Sequence, residues 1–174
     1  MSFFPNVIPI TGGTTSRSLS DHFSDILCVK DFGAIGNNVA DDYIGIQTAL
    51  NAAFNAGGKT VYMPATGSAY YISKGLLVPP GVCLMGAGGK TFYANNGSVA
   101  QWCKTGTWLR CTDTTNTACQ LGNPIYTNPP DNTFWNSGIS NCTISGDGTT
   151  ATISFPGGTS SYTAAAGKIG RAHV

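Results

Sequence analysis

The chain contains one clear amphipathic helix, and only short runs of strand-forming residues follow it. The apolar residues of this helix recur at helical spacing, at Ile46, Ala49, Leu50, Ala53 and Phe54. Gly57-Gly58 supplies its end. Beyond that point helical periodicity is lost, so most apolar side chains must be buried by sheets. A mainly β fold with one substantial helix near its start is therefore predicted.

The strand-forming runs are short, and turn residues separate them. Strands are predicted over 60–63, 70–72, 76–78, 82–85, 107–111, 117–121, 138–145 and 150–155. Equivalent runs recur after about 25 and about 21 residues with no helix between them, which favours a solenoid whose coils stack on one another. Periodicity alone leaves a β-sandwich open.

The segment before the helix combines a predicted short helix over 19–27, a strand over 28–32 that stops at Gly33, and an acidic pair. Ser18 or Ser20 is suited to cap the short helix. Asp41-Asp42 stands directly before the main helix, where Asp oxygens accept the free N–H groups of the first turn and oppose the dipole. The pair is interpreted as a structural cap, and paired carboxylates for acid–base catalysis are the alternative.

Composition argues against several classes of partner. Charged residues make up 10% of the chain, the net charge is +1, and all eight acidic residues are Asp. Lys and Arg are scattered singly, whereas binding to nucleic-acid phosphates or anionic membranes needs a clustered basic face. No apolar run approaches the ~18 residues that span a bilayer. Neither nucleic-acid binding nor membrane insertion is expected.

Motifs for catalysis, metals and cofactors are missing from the sequence. The six cysteines show no C-x-x-C pair and no His at ligand spacing, so we expect reduced thiols, no metal and no cofactor. Gly86–Thr91 ends like a phosphate-binding loop, but Leu84 stands where that motif needs glycine. No Gly-x-Ser-x-Gly elbow accompanies the two histidines. The catalytic residues therefore stay unknown.

Two segments, 93–102 and 123–135, interrupt the strand pattern. They are predicted to be long loops that leave the β scaffold, and we call them excursions. Loops on a rigid β scaffold often carry binding surfaces, and aromatic rings stack on sugar rings. The candidate carbohydrate-binding residues are Tyr93, Trp102, Tyr126 and Trp135. Packing of these rings beneath neighbouring loops is an equal alternative.

Three blocks, 31–50, 57–64 and 81–86, carry a family resemblance. They resemble the N-terminal part of the pectate-lyase-type right-handed parallel β-helix proteins, which include phage tailspikes and polygalacturonase-like enzymes. The resemblance covers about residues 29–89 and implies a right-handed parallel β-helix with an N-terminal capping helix. The residues that it implies for this cap are Asp41, Asp42, Ile46, Leu50 and Phe54. Asn37-Asn38 stands where the family commonly has Asp-Gly.

The predicted organisation has three parts. Residues 1–28 form an arm with a short helix, 29–166 the capped start of the β-helix, and 167–174 a basic tail that resembles translated cloning adapter. The β-helix is accordingly expected to be truncated at its C-terminal side.

The resemblance carries no catalytic residue, because the catalytic signatures of the family belong to later coils. With no signal peptide seen, it favours the N-terminal fragment of a polysaccharide-recognising phage or prophage tail protein, located on the virion tail and homotrimeric at full length. A fragment of a secreted pectate-lyase or polygalacturonase-like enzyme is one alternative, and a non-catalytic β-helix adhesin is another. Whether the parent is a lyase or a hydrolase stays open, and this fragment is expected to be inactive.

Overall fold

The computed structural model describes residues 13–88, 106–113, 119–121 and 137–146, together with the strand segments 7–8, 92–95, 98–102, 150–154 and 162–165. The helices in this part of the chain are α1 (Leu19–Phe23), a 3-10 helix (Val29–Phe32) and α2 (Tyr43–Asn55). The strands, numbered in chain order, are β1 Val7–Ile8, β2 Arg17–Ser18, β3 Ile26–Cys28, β4 Thr60–Met63, β5 Tyr70–Ile72, β6 Leu76–Val78, β7 Cys83–Gly86, β8 Phe92–Asn95, β9 Ser98–Trp102, β10 Thr107–Cys111, β11 Cys119–Leu121, β12 Gly138–Ser140, β13 Cys142–Gly146, β14 Thr150–Ser154 and β15 Tyr162–Ala165. The fold is mainly β with few helices, as predicted.

Three sheets carry the structure, and their main pairings are parallel. Sheet 1 has the order β3-β4-β7-β12, sheet 2 has β5-β10-β13, and sheet 3 has β6-β11-β14 with β15 added antiparallel at its edge. The chain passes through sheets 1, 2 and 3 in the same order three times, from β4 to β6, from β7 to β11 and from β12 to β14. Two antiparallel hairpins, β1–β2 and β8–β9, lie outside these sheets.

The core is built from equivalent residues that stack from one pass to the next. In sheet 1, Leu84 is in register with both Val61 and Ile139. In sheet 2, Leu109 is in register with Tyr70 and Ile144, and these residues belong to one buried cluster. Each fully buried apolar side chain contributes about 1.5–3 kcal/mol. Stacking of like residues therefore both fills the interior and sets the register of the strands.

The predicted strands over 60–63, 70–72, 76–78 and 107–111 agree with β4, β5, β6 and β10. The predicted strand over 138–145 is instead two strands, β12 and β13. Asn141, with φ 54°, adopts the left-handed conformation that Asn tolerates and turns the chain from sheet 1 to sheet 2. The alternating apolar pattern therefore did not reveal that a single residue, Asn141, turns the chain between two strands.

The prediction for residues 19–32 is partly wrong. Ser18 caps α1 by accepting a hydrogen bond from the Asp21 N–H, but the helix ends at Phe23. Ile26 and Leu27, which were expected in the last turn of this helix, belong to β3 instead, and β3 pairs with β4. The expected strand over 28–32 is largely a 3-10 helix. That short helix ends because Gly33 has φ 92° and donates its N–H to the Lys30 carbonyl. Apolar spacing did not separate these short elements.

Gly86→Ala tests the close packing at the corner between sheets 1 and 2. An added Cβ would overlap the Asn141 carbonyl oxygen and lie 2.8 Å from Thr107 Cβ. We expect the free energy of unfolding in urea to fall by about 1–3 kcal/mol. Gly67→Ala is the matched control, because its added Cβ meets no atom within 4 Å, and its change should stay within about 0.5 kcal/mol. Equal effects of the two substitutions would contradict this packing.

Candidate functional site

The carboxylate of Asp42 organises the turn before α2. Asp42 is 2% exposed, and its oxygens accept hydrogen bonds from the N–H groups of Ile35 at 2.6 Å and Gly36 at 3.1 Å. It occupies the N-cap position of α2, yet its side chain makes no cap hydrogen bond. The expectation that this side chain accepts N–H groups of the first helical turn is therefore wrong. The preceding turn folds back and supplies the donors instead.

Asp41 links the start of α2 to sheet 2. Its Oδ1 accepts hydrogen bonds from the Tyr43 N–H at 3.0 Å and the Ser73 N–H at 3.2 Å, and its Oδ2 accepts one from the Ser73 hydroxyl. Burial alone raises the pKa of Asp41, but these hydrogen bonds, aided by Lys74, outweigh it and hold the pKa below its usual range. Both carboxylates of the pair therefore serve backbone organisation.

The inner face of α2 uses most of the predicted apolar residues. Ile46 and Leu50 are fully buried, together with Ala49 and Ala53. Phe54, expected on the same face, is 49% exposed, so its expected packing on the first coil is wrong. One further residue turns the helix by about 100°, which carries Phe54 away from the core and leaves Ala53 in contact.

A tight loop places Asn38 against sheet 2. Asn37 Oδ1 accepts hydrogen bonds from the N–H groups of Val39 at 2.9 Å and Ala40 at 2.8 Å, which closes the loop as an Asx turn. Asn38 adopts φ 62° and donates its N–H to the Ala69 carbonyl at 2.8 Å. The side chain of Asn38 is thereby held at the edge of sheet 2.

The outer side of sheet 2 carries a polar group that we call the Arg110 cluster, consisting of Asn38, Tyr71, Arg110 and Thr112. Arg110 and Tyr71 are in register on adjacent strands, and both are half-buried. Arg110 Nη1 donates to Asn38 Oδ1 at 3.0 Å, and Thr112 Oγ1 donates to Tyr71 Oη at 3.4 Å. Alternation along β10 places Trp108, 7% exposed, on the same side as Arg110.

The Arg110 cluster has the chemistry of a recognition surface. A guanidinium presents a planar set of N–H donors that suits carboxylate or hydroxyl oxygens, and phenol and threonine hydroxyls both donate and accept. The sequence interpretation missed Arg110. Its signal was a charged residue at the outward position of a largely apolar strand, in a chain with few charges. Guanidinium and hydroxyl groups of this kind can hold an oxygen-rich ligand through hydrogen bonds.

The predicted carbohydrate-binding aromatics have side chains outside the described part of the structure. Tyr93 belongs to β8 and Trp102 to β9, so the first excursion contains a hairpin, whose side chains are outside the described part. Tyr126 and Trp135 lie outside the described residues, as do residues 167–174. Their proposed contact with sugars stays a prediction.

Five cysteines of the described residues are free thiols, Cys28, Cys83, Cys111, Cys119 and Cys142. Burial raises the pKa of the Cys142 thiol to about 12 and that of Cys119 well above its ordinary value. Buried thiols here behave as small apolar groups.

Among the described residues, no three or more His, Cys, Asp or Glu side chains are grouped to hold a metal. No helix in the same part of the chain is long and apolar enough to cross a bilayer.

Comparison with known families identifies the class of protein. The family described as rhamnogalacturonase A/epimerase, pectate lyase-like, matches residues 26–170. The chain belongs to this family, because the match extends over most of its length. The resemblance to pectate-lyase-type proteins that the sequence carries is thereby confirmed.

Individual relatives match shorter stretches. Mannuronan C5-epimerase AlgE4 of Azotobacter vinelandii is 48% identical over 67 residues, which cover 34% of this chain and 12% of that protein. The tail spike protein of Shigella phage Sf6 is 33% identical over 75 residues, which cover 41% of this chain and 12% of that protein. The matched segment thus represents a small part of either relative.

Two solved structures match over more of the chain. The A-module of AlgE4 superposes with a TM-score of 0.50 at 29% identity, covering 79% of this chain and 35% of that one. The A-module of AlgE6 from the same organism gives 0.52 at 26% identity, covering 78% and 34%. These structural matches cover a larger share of this chain than the sequence matches to individual relatives do.

Asp41→Asn tests the carboxylate that links α2 to sheet 2. Because the folded pKa of Asp41 lies below its unfolded value, its contribution to stability is present above about pH 4 and is lost as the pH falls further. We expect the unfolding free energies of the wild type and Asp41→Asn to differ most near neutral pH and to converge in acid. Ser73→Ala, which removes one donor to Asp41, should give a smaller difference with the same trend. A difference that is independent of pH would contradict this role.

Proposed function

We propose that this chain is the N-terminal section of a polysaccharide-recognising tail protein of a phage or prophage, built as a right-handed parallel β-helix. The observation that carries the proposal is the repeated passage through three parallel sheets in register, with the Arg110 cluster on the outer side of sheet 2. Coils of this kind form a long rigid surface along which a polymer can lie. The similarity to a phage tail spike supports the viral assignment.

The role proposed for α2 is to cap the first coil. Sheet 3 begins at β6, and α2 packs beside that strand where an earlier coil would otherwise place another. Ile46 and Leu50 bury the apolar end of the stack. Asp41 and Asp42 fix the entry to the helix through their contacts with Ser73, Ile35 and Gly36.

The Arg110 cluster is proposed as the described part of the polysaccharide contact. Its guanidinium is held by Asn38, which reduces the side-chain entropy lost on binding. The hairpin β8–β9 immediately precedes β10 in the chain. Tyr93 and Trp102 on this hairpin, and Tyr126 and Trp135 on the later excursion, are proposed as further residues that stack on sugar rings.

The full-length parent is proposed to be a homotrimer on the virion tail. The match spans 12% of the length of AlgE4 and 12% of that of the Sf6 tail spike protein, so activity and assembly are assigned to the longer protein. Light scattering of the full-length parent that gives the mass of a monomer would contradict the trimer.

A non-catalytic adhesin would bind polysaccharide without shortening it or changing its sugars.

A second candidate function is modification of a uronate polymer. The 48% identity to a mannuronan C5-epimerase over 67 residues favours it. An alginate lyase from the same organism is 43% identical over a segment of the same length. NMR and reducing-end assays of mannuronan treated with the full-length parent would separate epimerisation, cleavage and binding alone. The 174-residue chain is expected to leave mannuronan unchanged in both assays.

Arg110→Met tests the contact surface, because it keeps the apolar stem and removes the guanidinium. The probes are mannuronan, polygalacturonate and Shigella lipopolysaccharide, titrated calorimetrically against the full-length parent. We expect at least one of them to bind, and Arg110→Met to weaken that binding by about tenfold or more, because hydrogen bonds to charged groups contribute about 1.5–3 kcal/mol.

Lys30→Ala is the charge-matched control, since Lys30 is exposed on the 3-10 helix. Equal weakening by Lys30→Ala would assign the effect to net charge rather than to the Arg110 cluster. Failure of all three probes to bind would count against polysaccharide recognition of these classes.

A further inference from the structure

The first strand of sheet 3 has an edge that no neighbouring strand covers among the described residues. β6 pairs with β11 on one side, through the register of Leu76 with Cys119 and Val78 with Leu121. The N–H and C=O of alternate residues in a parallel strand point to opposite sides. In this strand of three residues, Leu77 therefore directs both of its backbone groups toward the open edge.

The side chain of Gln47 satisfies both groups. Gln47 Oε1 accepts a hydrogen bond from the Leu77 N–H at 2.9 Å, and Gln47 Nε2 donates to the Leu77 carbonyl at 2.9 Å. Gln47 Nε2 also donates to Asn51 Oδ1 at 3.1 Å, one helical turn further along α2. A carboxamide carries one acceptor and a donor in a plane, as a peptide unit does, whereas a carboxylate only accepts.

Sheet 2 is closed on the same side by the segment before α2. The carbonyl of Ala69 accepts from the Asn38 N–H at 2.8 Å, and the carbonyl of Tyr71 accepts from the Asp42 N–H at 2.7 Å. The next alternate residue, Ser73, donates its N–H to the Asp41 carboxylate. Residues 38–47 therefore bind open backbone groups in and beside the first strands of sheets 2 and 3. At β6, a single side chain, that of Gln47, binds both the N–H and the carbonyl of one residue.

We propose that Gln47 acts as a side-chain substitute for a missing strand and blocks the edge of β6 against pairing with a second copy of this chain. An exposed edge strand is a template for another strand, because its unpaired backbone groups bind any extended segment. This inference rests on the proposed capping role of α2 and extends it from apolar cover to hydrogen-bond termination. A second copy is the relevant partner because each copy presents the same edge.

The direct test is residue-resolved amide hydrogen exchange of the 174-residue chain and its Gln47 variants. In the wild type, the Leu77 amide should be protected even though no strand of the described part of the chain covers it. Gln47→Ala should speed exchange at Leu77 by about tenfold or more while β10 keeps its protection. Gln47→Glu keeps an acceptor for the Leu77 N–H but cannot donate to its carbonyl. It should therefore leave Leu77 protected and lower the overall stability.

Asn51→Ala is the matched control, because it removes the outer contact of the Gln47 amide and leaves both bonds to Leu77. Its Leu77 exchange should match the wild type. Sedimentation velocity should show that Gln47→Ala self-associates more strongly with rising concentration than Asn51→Ala does. If Gln47→Ala does not fold, the wild-type and Gln47→Glu exchange rates decide the question.

Rapid exchange of Leu77 in the wild type would overturn the inference, as would an unchanged rate in Gln47→Ala. Equal self-association of Gln47→Ala and Asn51→Ala would overturn the proposed block against a second copy. None of these measurements involves polysaccharide, so their failure is distinct from failure of the proposed recognition function.

Discussion

The in-register parallel pairing of successive passes is the interaction on which the rest of this structure depends. Each pass presents strands that are too short to be stable alone, and each strand finds its hydrogen-bond partners on the strand of the next pass. Because Tyr70, Leu109 and Ile144 occupy the same register in sheet 2, hydrogen bonding and core packing require the same alignment. A slip of any one of these strands by one residue would turn its apolar side chain toward the outside.

Such stacking creates a difficulty at the first strands of sheets 2 and 3, because no earlier strand pairs with them among the described residues. The segment from Asn38 to Gln47 binds these backbone groups, with a different hydrogen-bonding group at each position. Main-chain N–H groups and the Asp41 carboxylate serve sheet 2, while the Gln47 carboxamide serves sheet 3. The acidic pair that resembles catalytic chemistry in the sequence therefore has a structural explanation in the contacts that it makes.

Much of this architecture could be predicted from the sequence, and the errors have physical causes. Alternation of apolar residues located β4, β5, β6 and β10 correctly, because strands that pack on one face carry that period. It did not reveal the one-residue corner at Asn141 or the 3-10 helix at Val29–Phe32, which depend on single backbone conformations. The Arg110 cluster was also missed, because its members are far apart in sequence and meet only through the register of β5 and β10. A family resemblance supplied the expected fold class and cap residues but no catalytic residue.

Stacking in one register is the central claim, and NMR of the uniformly labelled chain measures it most directly. Backbone NOEs across sheet 2 should connect the strand around Leu109 with the strands around Tyr70 and Ile144. Across sheet 1, they should connect Leu84 with Val61 and Ile139. NOEs characteristic of antiparallel neighbours, or connections displaced by two residues in either sheet, would contradict it.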